Sequence, residues 1–162
     1  MQLPIIGIDP GTTESAYVLW DGSKVLEAEI YPNADLHAKL CQGEDNGPPL
    51  YIEMIASYGM PVGKEVFETV LWIGRFVEVW NVLQNPWHLV FRKPVCVHHC
   101  GVARAKDPNI RRALLDKYGE VGTKKKPGPL YGIRKDLWSA LAVASFAVET
   151  KLECSCRIES GS

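Results

Sequence analysis

"IIGIDPGTTESAYVLW" (residues 5–20) decides the fold: an apolar run ends at Asp9, a Pro10-Gly11 turn follows, and a second apolar run reaches Trp20. The unbroken apolar character of residues 3–9 predicts a central strand buried on both faces. A carboxylate closing such a strand has two roles open to it. Asp9 can open the turn ahead of Pro-Gly, an ordinary duty of aspartate, or it can hold a cation or a phosphate at the end of the sheet. Further on, Asp21-Gly22 between apolar runs marks a hairpin. The first three strands are therefore expected to form an antiparallel meander.

Residues 32–48 (PNADLHAKLCQGEDNGP) are polar and turn-rich and read as a loop with one short helical turn at most. "PLYIEMI" gives a fourth strand carrying Glu53 within an apolar run. In "KEVFETVLWIGRFVEVWNVL", Val66, Val70, Ile73, Val77 and Trp80 recur at helical spacing and predict an amphipathic helix, which Asn85-Pro86 stops. "WHLVFRKPVCVHH" reads as a fifth strand, irregular at Pro94. "KDPNIRRALLDKYG" predicts a short helix with Asp107 as N-cap and Pro108 at its first position. Residues 120–131 (EVGTKKKPGPLY) lack periodicity and read as a mobile loop. The last helix, "RKDLWSALAVASFAVET", sets Leu137, Ala140, Leu141, Ala144 and Val148 on one face. The order is β-β-β-β-α-β-α-α in one domain over residues 1–152, with a flexible tail over residues 153–162.

Composition fits this. A chain of 162 residues is long enough for one real core, and 46% apolar with 23% charged residues is the balance of a soluble globular protein. No run approaches the roughly 18 apolar residues of a membrane span, and the N-terminus lacks the basic region and cleavage site of a signal peptide. The five cysteines (Cys41, Cys96, Cys100, Cys154, Cys156) are odd in number and irregularly spaced. They point to reduced thiols in a cytoplasmic setting rather than a disulfide framework. His98-His99-Cys100 has no second ligand pair at zinc-finger spacing and reads instead as a phosphate contact.

The net charge is −1, yet it is unevenly spread. Between Arg104 and Lys135 ten Lys and Arg residues face three acids, a balance of +7 that leaves −8 for the rest. Such asymmetry suggests a nucleic-acid-facing surface. A solvated helix face with a lysine-rich loop is the ordinary alternative.

Three acids then carry the chemistry. Asp9 ends the first strand, Glu53 lies in the fourth, and Asp136 opens the last helix. Each has an everyday role available: turn residue, ion-pair partner, complement to the helix dipole. A meander followed by a crossover, however, sets the first and fourth strands side by side, with a helix across them. Three carboxylates converging there repel one another unless a divalent cation neutralises them. Oxygen ligands without imidazole or thiolate select Mg²⁺ or Mn²⁺, and two such ions flanking a phosphate can drive its hydrolysis.

"GIDPGTT", "YIEM" and "KDLWSALAVASFA" resemble the RuvC-type Holliday junction resolvases, closest to their phage-type members, over about residues 4–150. "HHCGVARAKDPNIRRALLDKYG" is also similar to the family's strand-loop-helix. The resemblance implies an α/β, RNase H-like fold with a five-stranded mixed sheet flanked by helices. It further implies a homodimer that cuts four-way DNA junctions with two Mg²⁺ (or Mn²⁺) ions per site, acting in the cytoplasm and phage-encoded in a bacterial host. Asp9, Glu53 and Asp136 match three of the family's metal ligands. Where members often carry a second acid one turn into the last helix, this chain has Ser139, a weaker neutral ligand; Asp107 is a substitute to consider.

The same resemblance puts Tyr58 and Met60 in the loop that wedges into the junction. A DNA substrate would make Lys64 at a helix start, Arg104, Lys106, Arg111, Arg112, Lys124, Lys125, Lys126, Arg134 and Lys135 phosphate contacts. Two other classes share some of these features. A branched-DNA binding module without catalysis would follow from the loss of an acid at Ser139. "D-x-G-T-T" also opens the ATP-binding domains of actin, Hsp70 and the sugar kinases, which need a second such domain.

Overall fold

The computed structural model describes residues 4–154. Five strands form one sheet in the order β3-β2-β1-β4-β5: β1 (Ile5–Asp9), β2 (Glu14–Trp20), β3 (Val25–Pro32), β4 (Leu50–Met54) and β5 (Trp87–Phe91). The first three are an antiparallel meander, while β4 lies parallel to β1, and β5 parallel to β4. The mixed sheet flanked by helices is the expected architecture. The helices are α1 (Asn33–Cys41), α2 (Lys64–Val82), α3 (Arg92–Cys100), α4 (Asp107–Tyr118) and α5 (Leu137–Glu149). None is long and apolar enough to cross a membrane.

Alternation along β1 divides the core. Ile6 and Ile8 point to one face, where Leu36 and Leu40 of α1 and Ile73, Phe76 and Trp80 of α2 cover them. Ile5 points to the other face, packed by Val95 and Cys96 of α3, Ile110 and Leu114 of α4, and nearly all of α5. The last helix is buried on most of its circumference (Leu137, Trp138, Ala140 to Ser145, and Ala147), because the sheet takes one side and two helices the others. Its run of alanines suits both helix formation and close packing.

At Gly7 the sheet and α5 come into backbone contact. A Cβ added there would stand 2.4 Å from the carbonyl oxygen of Ala140 and 2.9 Å from Cβ of Ala144. So α5 rests directly on the backbone of β1.

Several elements differ from the sequence reading, each for a local reason. The segment read as a loop holds α1, whose only large apolar pair, Leu36 and Leu40, sits one turn apart and is buried. The fifth strand stops at Phe91, and "RKPVCVHHC" is a helix. Pro94 is its third residue, where no helical carbonyl awaits an N–H, so it fits the first turn. In α2 the buried face is Thr69, Ile73, Phe76 and Trp80, rotated from the predicted valine stripe, with Val66, Val70 and Val77 half-buried. Lys106 is the N-cap of α4, and Asp107 and Pro108 are its first two residues.

The supposed mobile loop folds as a small hairpin. Thr123 and Lys126 exchange backbone hydrogen bonds of 3.0 and 3.1 Å, and the Val25 N–H donates to the Pro129 carbonyl at 2.9 Å. Beyond α5, the Tyr51 hydroxyl donates to the Leu152 carbonyl and fastens the chain there to β4. From residue 155 on, the tail, with Cys156, lies outside the described residues.

Gly7→Ala should therefore destabilise the protein by about 1–3 kcal/mol, the usual cost of forcing atoms into a filled core, as read from urea unfolding. An unchanged midpoint would show that α5 does not sit on β1 this closely.

Candidate active site

Register brings the first two acids together. Gly7 pairs with Tyr51 and Ile8 with Ile52, so one residue further along the parallel strands Asp9 stands beside Glu53. Both belong to the α5 face, being two residues on from Gly7 and Tyr51. Glu53 pairs in turn with Val90 of β5, two residues before Arg92. The carboxyl ends of three adjacent strands thus present Asp9, Glu53 and Arg92 to one side.

The third acid arrives by arithmetic. Ala140 lies over Gly7, and Asp136, the N-cap of α5, lies four residues before it. Four residues of helix cover about 6 Å; the two residues from Gly7 to Asp9 cover about 6.6 Å of strand. Asp136 therefore comes over Asp9. Burial first, then the Glu53 and Asp136 carboxylates, push the Asp9 carboxyl well above its ordinary range, Asp107 adding to this and Arg92 opposing it. Burial also raises Glu53, whose side chain is 15% exposed, against the pull of Arg92 and with a further push from Asp107.

Other groups make the turn after Asp9. The Gly11 N–H donates to Ser15 Oγ at 3.2 Å, and the Ser15 hydroxyl donates to Asn33 Oδ1 at 2.6 Å. The Asn33 amide returns a bond to the Gly11 carbonyl at 2.9 Å, and the Asn33 N–H donates to the Thr13 carbonyl at 2.9 Å. Both Ser15 and Asn33 are buried. A Cβ on Gly11 would meet the Glu14 carbonyl oxygen at 2.3 Å. Asp9 is thereby relieved of turn duty.

Ser139 is half-buried one turn into α5, its N–H donating to the Asp136 carbonyl at 3.0 Å. Asp107 hydrogen-bonds the Arg92 guanidinium, whose other nitrogen lies 3.9 Å from Glu53. Neither Arg92 nor this pairing was legible in the sequence, because the strand-helix junction at Phe91 was not.

These are hard oxygen donors in excess of positive charge. Glu53 and Asp136 act on Asp9, Asp107 lies behind them, and Arg92 neighbours Glu53 and Asp107. The acids supply the hard oxygen donors that suit a divalent cation, with Asp136 exposed, although among the described residues only His98, His99 and Glu149 bring three ligand atoms within 4.8 Å of one another.

The expected DNA contacts divide in two. Tyr58 and Met60 are exposed in the loop after β4, and with Arg92, Lys93, Arg104, Ala103 and Ala105 they line a cavity of about 780 Å³ beside the acids. The Lys93 ammonium lies 5.9 Å from the Tyr58 ring centre. Lys106 precedes Asp107, Lys135 precedes Asp136, and Arg111 stacks 5.3 Å from the Trp138 ring centre. Lys64 opens α2 and pairs with Glu68 at 3.4 Å, Arg112 with Asp116 at 3.0 Å and Arg134 with Glu29 at 3.3 Å.

Lys124, Lys125 and Lys126 stand apart from that group. Their hairpin leads into Pro129, which binds Val25, and Val25 aligns through Trp20 with Ile5, the opposite end of β1 from Asp9.

His98 and His99 also lie elsewhere. Their ring nitrogens and the Glu149 carboxylate fall within 4.8 Å of one another. Glu149 is thirteen residues from Asp136, about 20 Å along α5. Glu149 accepts from Lys117 and His98 at 2.5 Å and from the Tyr118 hydroxyl. Burial acts against its charge, but these donors outweigh it and hold its carboxyl down at about 2. With an ammonium on the same oxygen, the cluster ties α3 and α4 to the end of α5. His98 and His99 are helix-packing residues here, not members of a basic loop.

No protein-family model and no curated protein sequence matches the chain. Solved structures do. RuvC from Thermus thermophilus is similar at a TM-score of 0.69 and 16% identity, covering 94% of this chain and 99% of its own. RuvC of the same organism in complex with a Holliday junction substrate is similar at a TM-score of 0.70 and 14% identity, over 93% of this chain and 95% of its own. The fold is therefore the RNase H-like fold of RuvC.

The raised Asp9 and Glu53 carboxyls have a sign that can be checked. A carboxyl raised by folding favours the native state while protonated and loses that contribution as pH rises through its folded value. In EDTA, Asp9→Asn should stabilise the protein relative to wild type at pH 8, with the difference shrinking toward pH 5. Equal urea midpoints at both pH values would refute the crowding of charge at this site.

Proposed function

We propose that this protein is a divalent-cation-dependent endonuclease that resolves branched DNA, four-way junctions foremost. The observation that carries the reading is the meeting of Asp9, Glu53 and Asp136 at the carboxyl ends of β1 and β4 under the N-terminus of α5. Support comes from the fold shared with RuvC, one of whose structures holds a Holliday junction substrate.

In this reading Asp9, Glu53 and Asp136 hold Mg²⁺ or Mn²⁺, two ions per site, and Ser139 completes the set through its hydroxyl or a water. When bound, such ions supply the charge that activates a water and takes up the negative charge of the departing 3′-oxygen. The chain's own part is to hold those carboxylates fixed, with Asp9 and Glu53 largely out of water and Asp136 exposed at the start of α5. The buried Ser15–Asn33 bonds keep the turn behind Asp9 rigid, and the contact at Gly7 fixes α5.

Tyr58 and Met60 face the junction's unpaired bases, for which an aromatic platform contributes about 1–3 kcal/mol per base. Lys64, Arg104, Lys106, Arg111, Arg112, Arg134 and Lys135 meet its phosphates, and Lys124, Lys125 and Lys126 reach an arm at the far end of the sheet.

A four-way junction has two strands to cut, which suits a two-fold dimer. On α2, Phe67 and Leu71 are each 65% exposed and Val82 is 69% exposed, an apolar strip open to a second copy. The setting this implies is the cytoplasm of a bacterium, for a phage-type enzyme.

A synthetic four-way junction should be nicked in Mg²⁺ or Mn²⁺. Glu53→Gln should cut by a factor on the order of 10²–10³ less, as when a group stabilising transition-state charge is removed, while binding persists. Binding without cleavage by wild type in either metal would leave only a branched-DNA binding module. Separately, Leu71→Glu should convert a dimer to a folded monomer in sedimentation velocity; a wild-type monomer at micromolar concentration would refute the use of this strip.

A further inference from the structure

The guanidinium beside Glu53 and Asp107 is that of Arg92. Arg92 follows β5 directly and opens α3. Its side chain is 37% exposed, so it is neither a core residue nor a free surface arginine. One nitrogen hydrogen-bonds Asp107, the first residue of α4. The other lies 3.9 Å from Glu53, beyond hydrogen-bond reach. The guanidinium is thus anchored on Asp107 and only loosely engaged with the site acid. It also borders the cavity that Tyr58, Met60, Lys93 and Arg104 surround.

A guanidinium has five N–H donors in a planar fork. Asp107 uses one edge, which leaves donors for a second anion in the cavity. Glu53 can turn to a metal ion without leaving Arg92 unpaired, since Asp107 keeps it in place.

We infer that Arg92, oriented by Asp107, is a phosphate clamp: it grips a DNA backbone phosphate in the cavity next to the carboxylates and sets the register of the strand to be cut. Arg92 is a substrate-binding residue and Asp107 a positioning residue rather than a fourth metal ligand. This rests on the nuclease reading above. It explains why an acid at the start of α4 points toward the site although Ser139 already occupies the position for an extra ligand. It also gives the cavity its chemistry, since Lys93 and Arg104 add positive charge around an aromatic ring that can take the adjoining base.

The test uses a four-way junction bound in EDTA, with salt dependence measured, and a separate calorimetric titration of Mn²⁺ into protein without DNA. Arg92→Gln should weaken junction binding by about 10–100-fold and flatten the log–log salt slope by about 0.9, the value for one phosphate. Asp107→Asn should weaken it less and leave Mn²⁺ binding intact. Arg92→Lys, which keeps the charge but not the fork, should keep the slope yet lose affinity, and it carries the test if Arg92→Gln does not fold.

An unchanged slope and affinity in Arg92→Gln would overturn the clamp while leaving the nuclease reading standing. Loss of Mn²⁺ binding in Asp107→Asn with junction binding unchanged would overturn it in favour of a metal ligand. Failure of the wild type to bind any junction would overturn the parent reading, and the clamp with it.

Discussion

The bare backbone at Gly7 is the constraint on which the rest depends. Because no side chain stands there, the carbonyl of Ala140 and the methyl of Ala144 approach β1 directly. That contact fixes both the height and the position of α5, and with them the place of Asp136 over Asp9. A helix carried on leucines would sit farther out, and its first residue would not crowd the strand end. The alanines of α5 serve the site as much as the core.

The acids so gathered do not stabilise the fold. Asp9 and Glu53 are both held above their usual range by burial and neighbouring charge, which marks a site built against electrostatic preference. The surroundings are correspondingly firm. Asn33 and Ser15 form a buried polar lock with every bond internal to the β1–β2 turn and α1. Arg92 and Asp107 bind the opening residues of α3 and α4 to one another. These features keep like charges from moving apart, the first through uncharged groups and the second through an ion pair that borders the acids.

What the sequence disclosed follows from the range of the interactions involved. Continuous apolar runs and a turn dipeptide are local signals, so β1, the meander, β4 and α5 were legible, and with them Asp9, Glu53 and Asp136. The helix α1 was hidden because two leucines one turn apart are too few to establish a period. The helix α3 was hidden because Pro94, read as a break in a strand, sits where helices accept proline. With α3 unseen, Arg92 had no place beside Glu53, and His98 and His99 had no helix α5 to face. The rotation of the buried face of α2 has the same root: apolar residues surround that helix, and only the tertiary partners decide which of them go inside. Asn33 gave no signal, since its partners are a serine and backbone groups up to 22 positions away.

Glu149 lies at the opposite end of α5 from the acids and differs from them in one respect that bears on the whole molecule. Its three donors keep it ionised down to about 2, whereas Asp9 and Glu53 take up protons above the usual carboxylate range. Acid therefore protonates Asp9 and Glu53, at the ends of β1 and β4, well before it releases Glu149 from its donors. The tie of α3 and α4 to the end of α5 thus outlasts the crowding of charge at the strand ends.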